Sequence, residues 1–475
     1  MNEFINLSAT RLADMIRKRE VRSIEVVEAY IKQIEKVNPI INAVVCTRFD
    51  EALKEAKSAD EAIMKESQDS LPPLLGVPCT IKESFSFKGM PNTSGLVSRK
   101  GVVANKDAVT VERLRRAGAI PLGVTNVSEL CMWMESNNYV YGRTNNPYDQ
   151  TRIVGGSSGG EGAIIGAGAS PFGLGSDIGG SIRMPAFFNG VFGHKPTGGL
   201  VPTSGHFPLP ENEVRRYSTV GPIASHAEDL MTILKIISGP DGEDKECKPF
   251  SIGDISQVLF SDLKFISIYN NMRINVSQDL VNAQHMVVDA LRDNGTKVIE
   301  PTVKGLEHSF EIWSAMLSEA HATPFGTVLG NGKPINPISH LLKWLIRLSP
   351  HTLPAIALAF LEKIPIPMGK FVDYGKKLRE ELIELIGANG VLIYPSYSSP
   401  APRHYAPMLF KPFDWVYTGI FNVMEFPSTQ VPLGLNKENL PLGIQVVSIP
   451  GNDHITIAVA MELEKMFGGW VQPKL

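Results

Sequence analysis

Residues Gly155 to Thr197 read GGSSGGEGAIIGAGASPFGLGSDIGGSIRMPAFFNGVFGHKPT. Two serines, Ser157 and Ser181, stand in separate glycine-rich turns, 24 residues apart. Upstream, Lys82 sits in GVPCTIKES, behind the apolar residues Leu74, Leu75, Val77 and Ile81. Amide hydrolysis needs a hydroxyl that loses its proton as it attacks, a held oxyanion and a proton for the leaving nitrogen. Lysine serves as the base only when neutral, and burial favours the neutral amine. The apolar run before Lys82 predicts that burial, and strand alternation would turn Glu83 to the opposite face. Glycine admits close backbone approach and positive φ. The amides of Asp177-Ile178-Gly179-Gly180-Ser181 are therefore candidates for an oxyanion hole. Arg183, six residues after Asp177, is a candidate partner for an ion pair that braces the turn. Each piece also has a plainer reading. A buried lysine beside a glutamate is often ion-paired, and GGSSGG is often a linker or tight turn. A phosphate-binding loop is disfavoured because GK[ST] is missing.

Composition narrows the class. Lys and Arg total 46 against 49 Asp and Glu, a balance that gives no reason to expect a nucleic-acid partner. Hydrophobic residues make up 43% and charged residues 20%, as in a folded globular chain. A chain of 475 residues can bury a large core, as one big domain or two to three ordinary ones. The four cysteines, Cys46, Cys79, Cys131 and Cys247, form no CxxC pair, and the ten histidines form no HxxxH or HxH. A disulfide scaffold or a metal site is disfavoured, no cofactor is implied, and a reduced cytoplasmic setting is expected. The N-terminus carries no apolar core of signal-peptide type, and no apolar run reaches the roughly 18 residues of a spanning helix. The last tripeptide, Pro473-Lys474-Leu475, half resembles a peroxisomal address.

Periodicity predicts two helices over 8–37, started by Ser8 and Ser23 as N-caps, with Asn38-Pro39 ending the second. A third helix is expected near 50–67, then a polar loop over 66–73. Strands are expected at 74–82 and 119–124, with the helix TVERLRRAG between them stopped by Gly118. Residues 240–256 read as a surface loop and 263–269 as a strand. A capped helix ends near Gly295, KVIE is the next strand, and core strands return at 390–395, 429–435 and 442–448. Alternation of short apolar strands with helices argues an α/β layered fold. With no repeat or clean linker, residues 1–475 read as a single domain with one insert. That insert, 338–368, reads as two short apolar helices broken at Ser349-Pro350, with Lys343 and Arg347 sharing a face. It is suited to a membrane surface, to a substrate-entry mouth or to ordinary burial.

The full pattern, GGSSGGEGAIIGAG followed by GSDIGGSIRMPAFFNGVFGHKPT, resembles the signature of the amidase signature family. The likeness runs from RLADMIRKREVRSIEVVEAYI to NDHITIAVAMELEKMFGGW. TNVSELCMWMESNN, YGRTNNPYD and LPLGIQVVS resemble its type-2 fatty acid amide hydrolase branch. The resemblance implies a large mixed twisted sheet covered by helices on both faces. It implies a Ser–Ser–Lys triad: Ser181 as acyl-forming nucleophile, Ser157 as proton relay, and Lys82 as base. It implies an oxyanion hole from the backbone of Ile178, Gly179, Gly180 and Ser181, substrate contacts near Cys131, and a non-proline cis peptide at the middle serine. The implied substrate is a small-molecule amide of long-chain fatty acids. The implied setting is cytoplasmic, peripheral on membranes or lipid droplets through 338–368, and relatives are often homodimers, a contact the same surface could serve. The chain departs from that branch in beginning at the first predicted helix, without the N-terminal spanning helix, and in a shorter, prolyl segment at Ile364-Pro365-Ile366-Pro367. Three other readings stay open: an amidase for short or aryl amides, a glutaminase subunit of an amidotransferase, and a non-catalytic lipid-binding protein.

Overall fold

Along Gly390–Tyr394, Val391 and Ile393 enter one apolar cluster while Leu392 and Tyr394 enter another. Phe265 and Ile266 divide between the same two clusters, as do Val446 and Val447. Strands that are apolar on both faces need cover on both, and that requirement produces the layered architecture. The computed structural model describes residues 3–364 and 368–475; the expected apolar insert therefore has three residues, 365–367, outside the described ones.

The strands are, in chain order, β1 Val44–Thr47, β2 Pro78–Lys82, β3 Ile120–Thr125, β4 Asn137–Asn138, β5 Gly142–Arg143, β6 Phe172–Asp177, β7 Phe192–Lys195, β8 Thr219–Ala224, β9 Lys264–Ser267, β10 Val298–Ile299, β11 Gly390–Tyr394, β12 Ser428–Leu435 and β13 Pro441–Val447. β4 and β5 form a separate hairpin, and the other eleven make one sheet in the order β1-β3-β2-β6-β8-β7-β12-β13-β11-β9-β10. The sheet is mixed. β2 runs parallel to both β3 and β6, and β9 runs parallel to β10 and β11. The remaining pairs are antiparallel. This is the α/β class expected from the alternation of elements.

Two helix boundaries differ from expectation. Ser8 caps its helix by accepting from the Arg11 amide, but Ser23 is the first residue inside the helix Ser23–Ile41. Its hydroxyl donates to Gly76 O at 2.8 Å, and Asp60 takes the free amides of Ser23 and Ile24 instead. That helix also runs through Pro39 to Ile41. Val37 and Ile41 are buried in the core, and the Asn38 side chain accepts from the Ala43 and Val44 amides just beyond the end. Packing and this local acceptor outweigh the one hydrogen bond that proline removes. Ser277 stands before the helix Gln278–Asp293 but makes no capping bond with its side chain.

The apolar insert forms two helices, Pro337–Leu345 and Leu353–Leu361, parted at Ser349-Pro350. Arg347 lies past the end of the first helix with φ 59°, so it does not share a helical face with Lys343. Ile338, Leu342, Leu345, Ile346 and Leu348 are exposed, whereas Ala355, Ile356 and Ala359 are buried. Glu129 anchors the second helix, accepting from the Thr352 amide and pairing with His351 Nδ1, both at 2.8 Å. Among the described residues no helix is long and apolar enough to cross a membrane.

The helix Gly159–Gly166 is buried on every side. Its glycines answer to space: a Cβ on Gly160 would stand 2.4 Å from the Asn126 amide nitrogen. Glu161 on this helix accepts from Thr80 Oγ1 of β2 at 2.6 Å and Thr125 Oγ1 of β3 at 2.8 Å. Burial pushes its carboxyl up to about 8. The folded protein therefore holds a proton that the unfolded chain releases above about pH 4.3, so stability falls as pH rises from there toward 8. Glu161→Gln, which mimics the protonated acid, is expected to raise the melting temperature relative to wild type at pH 8 and not at pH 4, as scanning calorimetry at the two pH values will show.

Candidate active site

Parallel pairing of β2 with β6 brings two polar strand ends together. Lys82 is the last residue of β2, and Ser176 is the last but one of β6. Lys82 Nζ donates to Ser176 Oγ at 2.9 Å and lies 2.7 Å from Ser157 Oγ. Lys82 is fully buried, and Ser157 nearly so. Among the described residues Lys82 has no ion pair, and burial lowers its pKa against the partial opposition of Cys131, Asp177 and Glu161. The ion-pair reading of Lys82 thus fails. Glu83 faces away and is satisfied by the Thr93 amide and hydroxyl, the Ser94 amide and the Tyr141 hydroxyl, at 2.6, 2.7, 2.8 and 2.7 Å.

Ser157 sits in the turn that precedes the helix Gly159–Gly166, and the Gly156–Ser157 peptide is cis. Gly156 is confined by the opposite wall, since a Cβ there would stand 2.1 Å from the Trp133 carbonyl oxygen. The Ser158 amide donates to Ser181 O at 3.2 Å, which sets the two serine turns against each other. The Ser181 hydroxyl has no hydrogen-bond partner among the described residues.

The loop before Ser181 is pinned by its carbonyls. Asp177 O accepts from Asn422 Nδ2 at 2.8 Å, Ile178 O from Trp313 Nε1 at 2.9 Å, and Gly179 O from Thr418 Oγ1 at 2.9 Å. Gly180 O accepts from the Met184 amide at 2.7 Å. With the carbonyls held by outside donors, the amides of Ile178, Gly179 and Ser181 are left without an acceptor among the described residues. Gly180 departs from the expected donor set because its amide already donates to Asp177 Oδ1 at 2.7 Å. Gly180 has φ +116°, and a Cβ would stand 2.0 Å from Thr418 Oγ1, so only glycine fits this turn.

Asp177 and Arg183 form a buried bidentate pair, with Arg183 Nε and Nη2 each 3.0 Å from a carboxylate oxygen. Burial opposes the ionised carboxylate, but the Arg183 charge and hydrogen bonds overcome it and hold Asp177 well below the usual range. Gln445 Oε1 accepts from Arg183 Nη1 at 2.9 Å, and Asn422 Oδ1 accepts from Nη2 as well, at 2.7 Å.

Cys131 is buried beside Lys82, in a segment where Leu130 and Cys131 both have positive φ, 52° and 60°. The next residues, Met132 and Trp133, line a cavity of about 430 Å³ with Trp344, Leu353, Met408 and Leu409. Lys82, Ser157 and Ser181 are not among its lining residues. Among the described residues no group of three or more His, Cys, Asp or Glu is placed to hold a metal ion.

Sequence reasoning missed Ser176, His206 and Ser84. His206 Nε2 lies 2.9 Å from Ser176 Oγ and 3.0 Å from Ser84 Oγ. It also missed Trp313, Thr418 and Asn422, which hold the loop from remote elements. Ser176 was within reach, since it adjoins Asp177 in the decisive stretch. The others carry no local spacing that marks them.

A family model described as amidase matches residues 25–457. Fatty-acid amide hydrolase 2 of Homo sapiens is 47% identical over 98% of this chain and 90% of its own length. Fatty-acid amide hydrolase 2-A of Danio rerio is 46% identical over 99% of this chain and 91% of its own length. A solved structure titled fatty acid amide hydrolase superposes with a TM-score of 0.80 at 24% identity, covering 98% of this chain and 86% of that one, a likeness of fold. The chain belongs to the amidase signature family. It is an amide hydrolase.

Arg183→Met would leave the Asp177 carboxylate buried without its partner. Breaking such a pair typically costs about 3–5 kcal/mol, and a denaturant titration should show a loss of that size.

Proposed function

We propose that this enzyme hydrolyses long-chain fatty acid amides to acid plus amine or ammonia, through an acyl-enzyme on Ser181. The observation that carries the mechanism is the 2.7 Å contact between Lys82 Nζ and Ser157 Oγ, in a buried setting without a counter-ion among the described residues. Neutral Lys82 takes the Ser157 proton as Ser157 takes the proton of Ser181. Ser181 Oγ attacks the amide carbon, and the amides of Ile178, Gly179 and Ser181 receive the oxyanion. The proton returns through Ser157 to the leaving nitrogen, the C–N bond breaks, and water then cleaves the ester by the same relay. Asp177 and Arg183 hold the loop and take no part in the proton transfers.

The substrate class rests on the cavity beside Cys131, with its apolar wall, and on the names of the relatives at 46–47% identity. The exposed Ile338, Leu342, Leu345, Ile346 and Leu348 lie on the helical pair that supplies Trp344 and Leu353 to that cavity. This face is proposed to rest on a membrane or lipid-droplet surface and to pass the acyl chain inward. Four aromatic residues, Trp133, Tyr139, Trp344 and Tyr405, also line the cavity, which favours aryl amides as the second reading.

Ser181→Ala should abolish both turnover and labelling by a serine-reactive phosphonate; retained labelling would move the nucleophile elsewhere. Lys82→Ala should lower kcat/KM by about 10²–10⁴-fold. The lowered pKa of Lys82 should appear as the acid limb of the kcat/KM profile, with activity lost as pH falls below it. Hydrolysis rates across a short acyl amide, an aryl amide, oleamide and an N-acyl ethanolamine separate the two substrate readings. Leu345→Asp with Leu348→Asp should abolish co-sedimentation with lipid vesicles and leave hydrolysis of a short soluble amide intact. If the pair instead dissociates a dimer seen by light scattering, the face is a contact between copies.

A further inference from the structure

We infer that His206 is a positioning residue for amide hydrolysis: acting through Ser176, it turns the Lys82 lone pair toward Ser157. The inference rests on the Lys82–Ser157 relay proposed above and adds to it the direction of each hydrogen bond.

The direction follows from one fixed point. His206 Nδ1 lies 2.8 Å from Pro208 O. A carbonyl oxygen only accepts, so Nδ1 carries the hydrogen. Burial, then the nearby Lys82, push the His206 pKa down to about 3. The ring is therefore neutral at working pH, and its Nε2 is bare and can only accept. Ser176 Oγ, 2.9 Å away, and Ser84 Oγ, 3.0 Å away, both point hydrogens at it. Ser176 has one hydrogen, and once that is given to His206 only lone pairs remain for Lys82. At 2.9 Å, Lys82 must then be the donor to Ser176. A neutral amine has two hydrogens and one lone pair. With one hydrogen committed to Ser176, the lone pair is free to face Ser157 Oγ at 2.7 Å and take its proton.

The imidazole is held firmly enough to impose this. Phe85 and His206 form an antiparallel bridge. The Phe207 amide donates to Ser84 O and the Ser86 amide to Gly205 O, both at 2.8 Å. The Phe85 ring packs edge-on against the imidazole with centroids 5.0 Å apart. Ser84 and Phe85 continue the chain directly from β2, so His206 is tied to the same segment that carries Lys82. The groups that face the ring are Ser84, Ser176, the Pro208 carbonyl, Phe85 and, across Ser176, Lys82; the titratable groups that act on Lys82 are Cys131, Asp177 and Glu161.

Without the imidazole, Ser176 has no acceptor but Lys82 among the described residues. Its hydroxyl would rotate and donate to the amine, capturing the lone pair that Ser157 needs. The consequence for the Lys82 amine has the opposite sign from simple loosening. Captured as an acceptor, the amine is stabilised in its neutral form, so its pKa falls further. Loosening that admits water would instead raise that pKa toward the ordinary lysine value.

The test compares wild type, His206→Leu and His206→Gln on one amide substrate, with kcat, KM and kcat/KM measured across pH. His206→Leu should lower the plateau of kcat by about 10²-fold, leave KM within about twofold, and move the acid limb of kcat/KM to lower pH. His206→Gln, whose side-chain oxygen can accept from Ser176, should recover most of the rate. Ser176→Ala removes the element through which His206 acts, so adding His206→Leu to it should cost little more. That pair stays informative if His206→Leu alone folds poorly. An unchanged plateau, an acid limb moved to higher pH, or full additivity of the two substitutions would overturn the inference. Failure of the underlying relay is distinct: Lys82→Ala would then keep its activity, whatever His206 does.

Discussion

A buried amine without a counter-ion sets the terms for this molecule. Lys82 has no carboxylate within ion-pairing distance among the described residues, and its close partners are the hydroxyls of Ser157 and Ser176 and the Cys131 thiol. A charged lysine in that place would be costly, so the surroundings favour the neutral base. The acids around it are diverted, Asp177 to Arg183 and two glutamates to neutral donors. Glu83 is consumed by the amides and hydroxyls of Thr93, Ser94 and Tyr141, and Glu161 by Thr80 and Thr125. The ladder between β2 and β6 then fixes how far Lys82 stands from the serines.

The loop from Asp177 to Ser181 is built by the opposite device. There the protein spends its donors on carbonyls. Asn422, Trp313 and Thr418 come from helices far along the chain, and each takes one carbonyl of residues 177–179. The amides that remain cannot turn inward to satisfy themselves. Arg183 and Asp177 hold the ends of the same turn, and Gln445 of β13 completes the guanidinium shell. The loop is thus braced along its carbonyls as well as at its ends.

Much of this was legible in the chain. Alternating apolar strands and helices announce the layered sheet, and the glycine-rich run from Gly155 to Thr197 announces two tight serine turns facing a lysine. Local rules failed where distant parts decide. Pro39 does not end its helix because Val37 and Ile41 are wanted in the core and Asn38 serves the exit. Ser23 is not a cap because Asp60 reaches across from another helix. Gly180 looked like one more free amide, but Asp177 claims it. His206 lay outside any pattern, since its place is set by a bridge to Phe85 and not by spacing from Lys82.

The contact between Trp133 and Gly156 has a consequence for how such an enzyme can change. The wall of the cavity meets the turn that carries Ser157 through a backbone carbonyl, which every residue type carries. Side chains at Met132, Trp344, Met408 or Leu409 can therefore be exchanged while that carbonyl stays in place. The cavity lining can vary by single substitutions while the turn that carries Ser157 keeps the same main-chain neighbour.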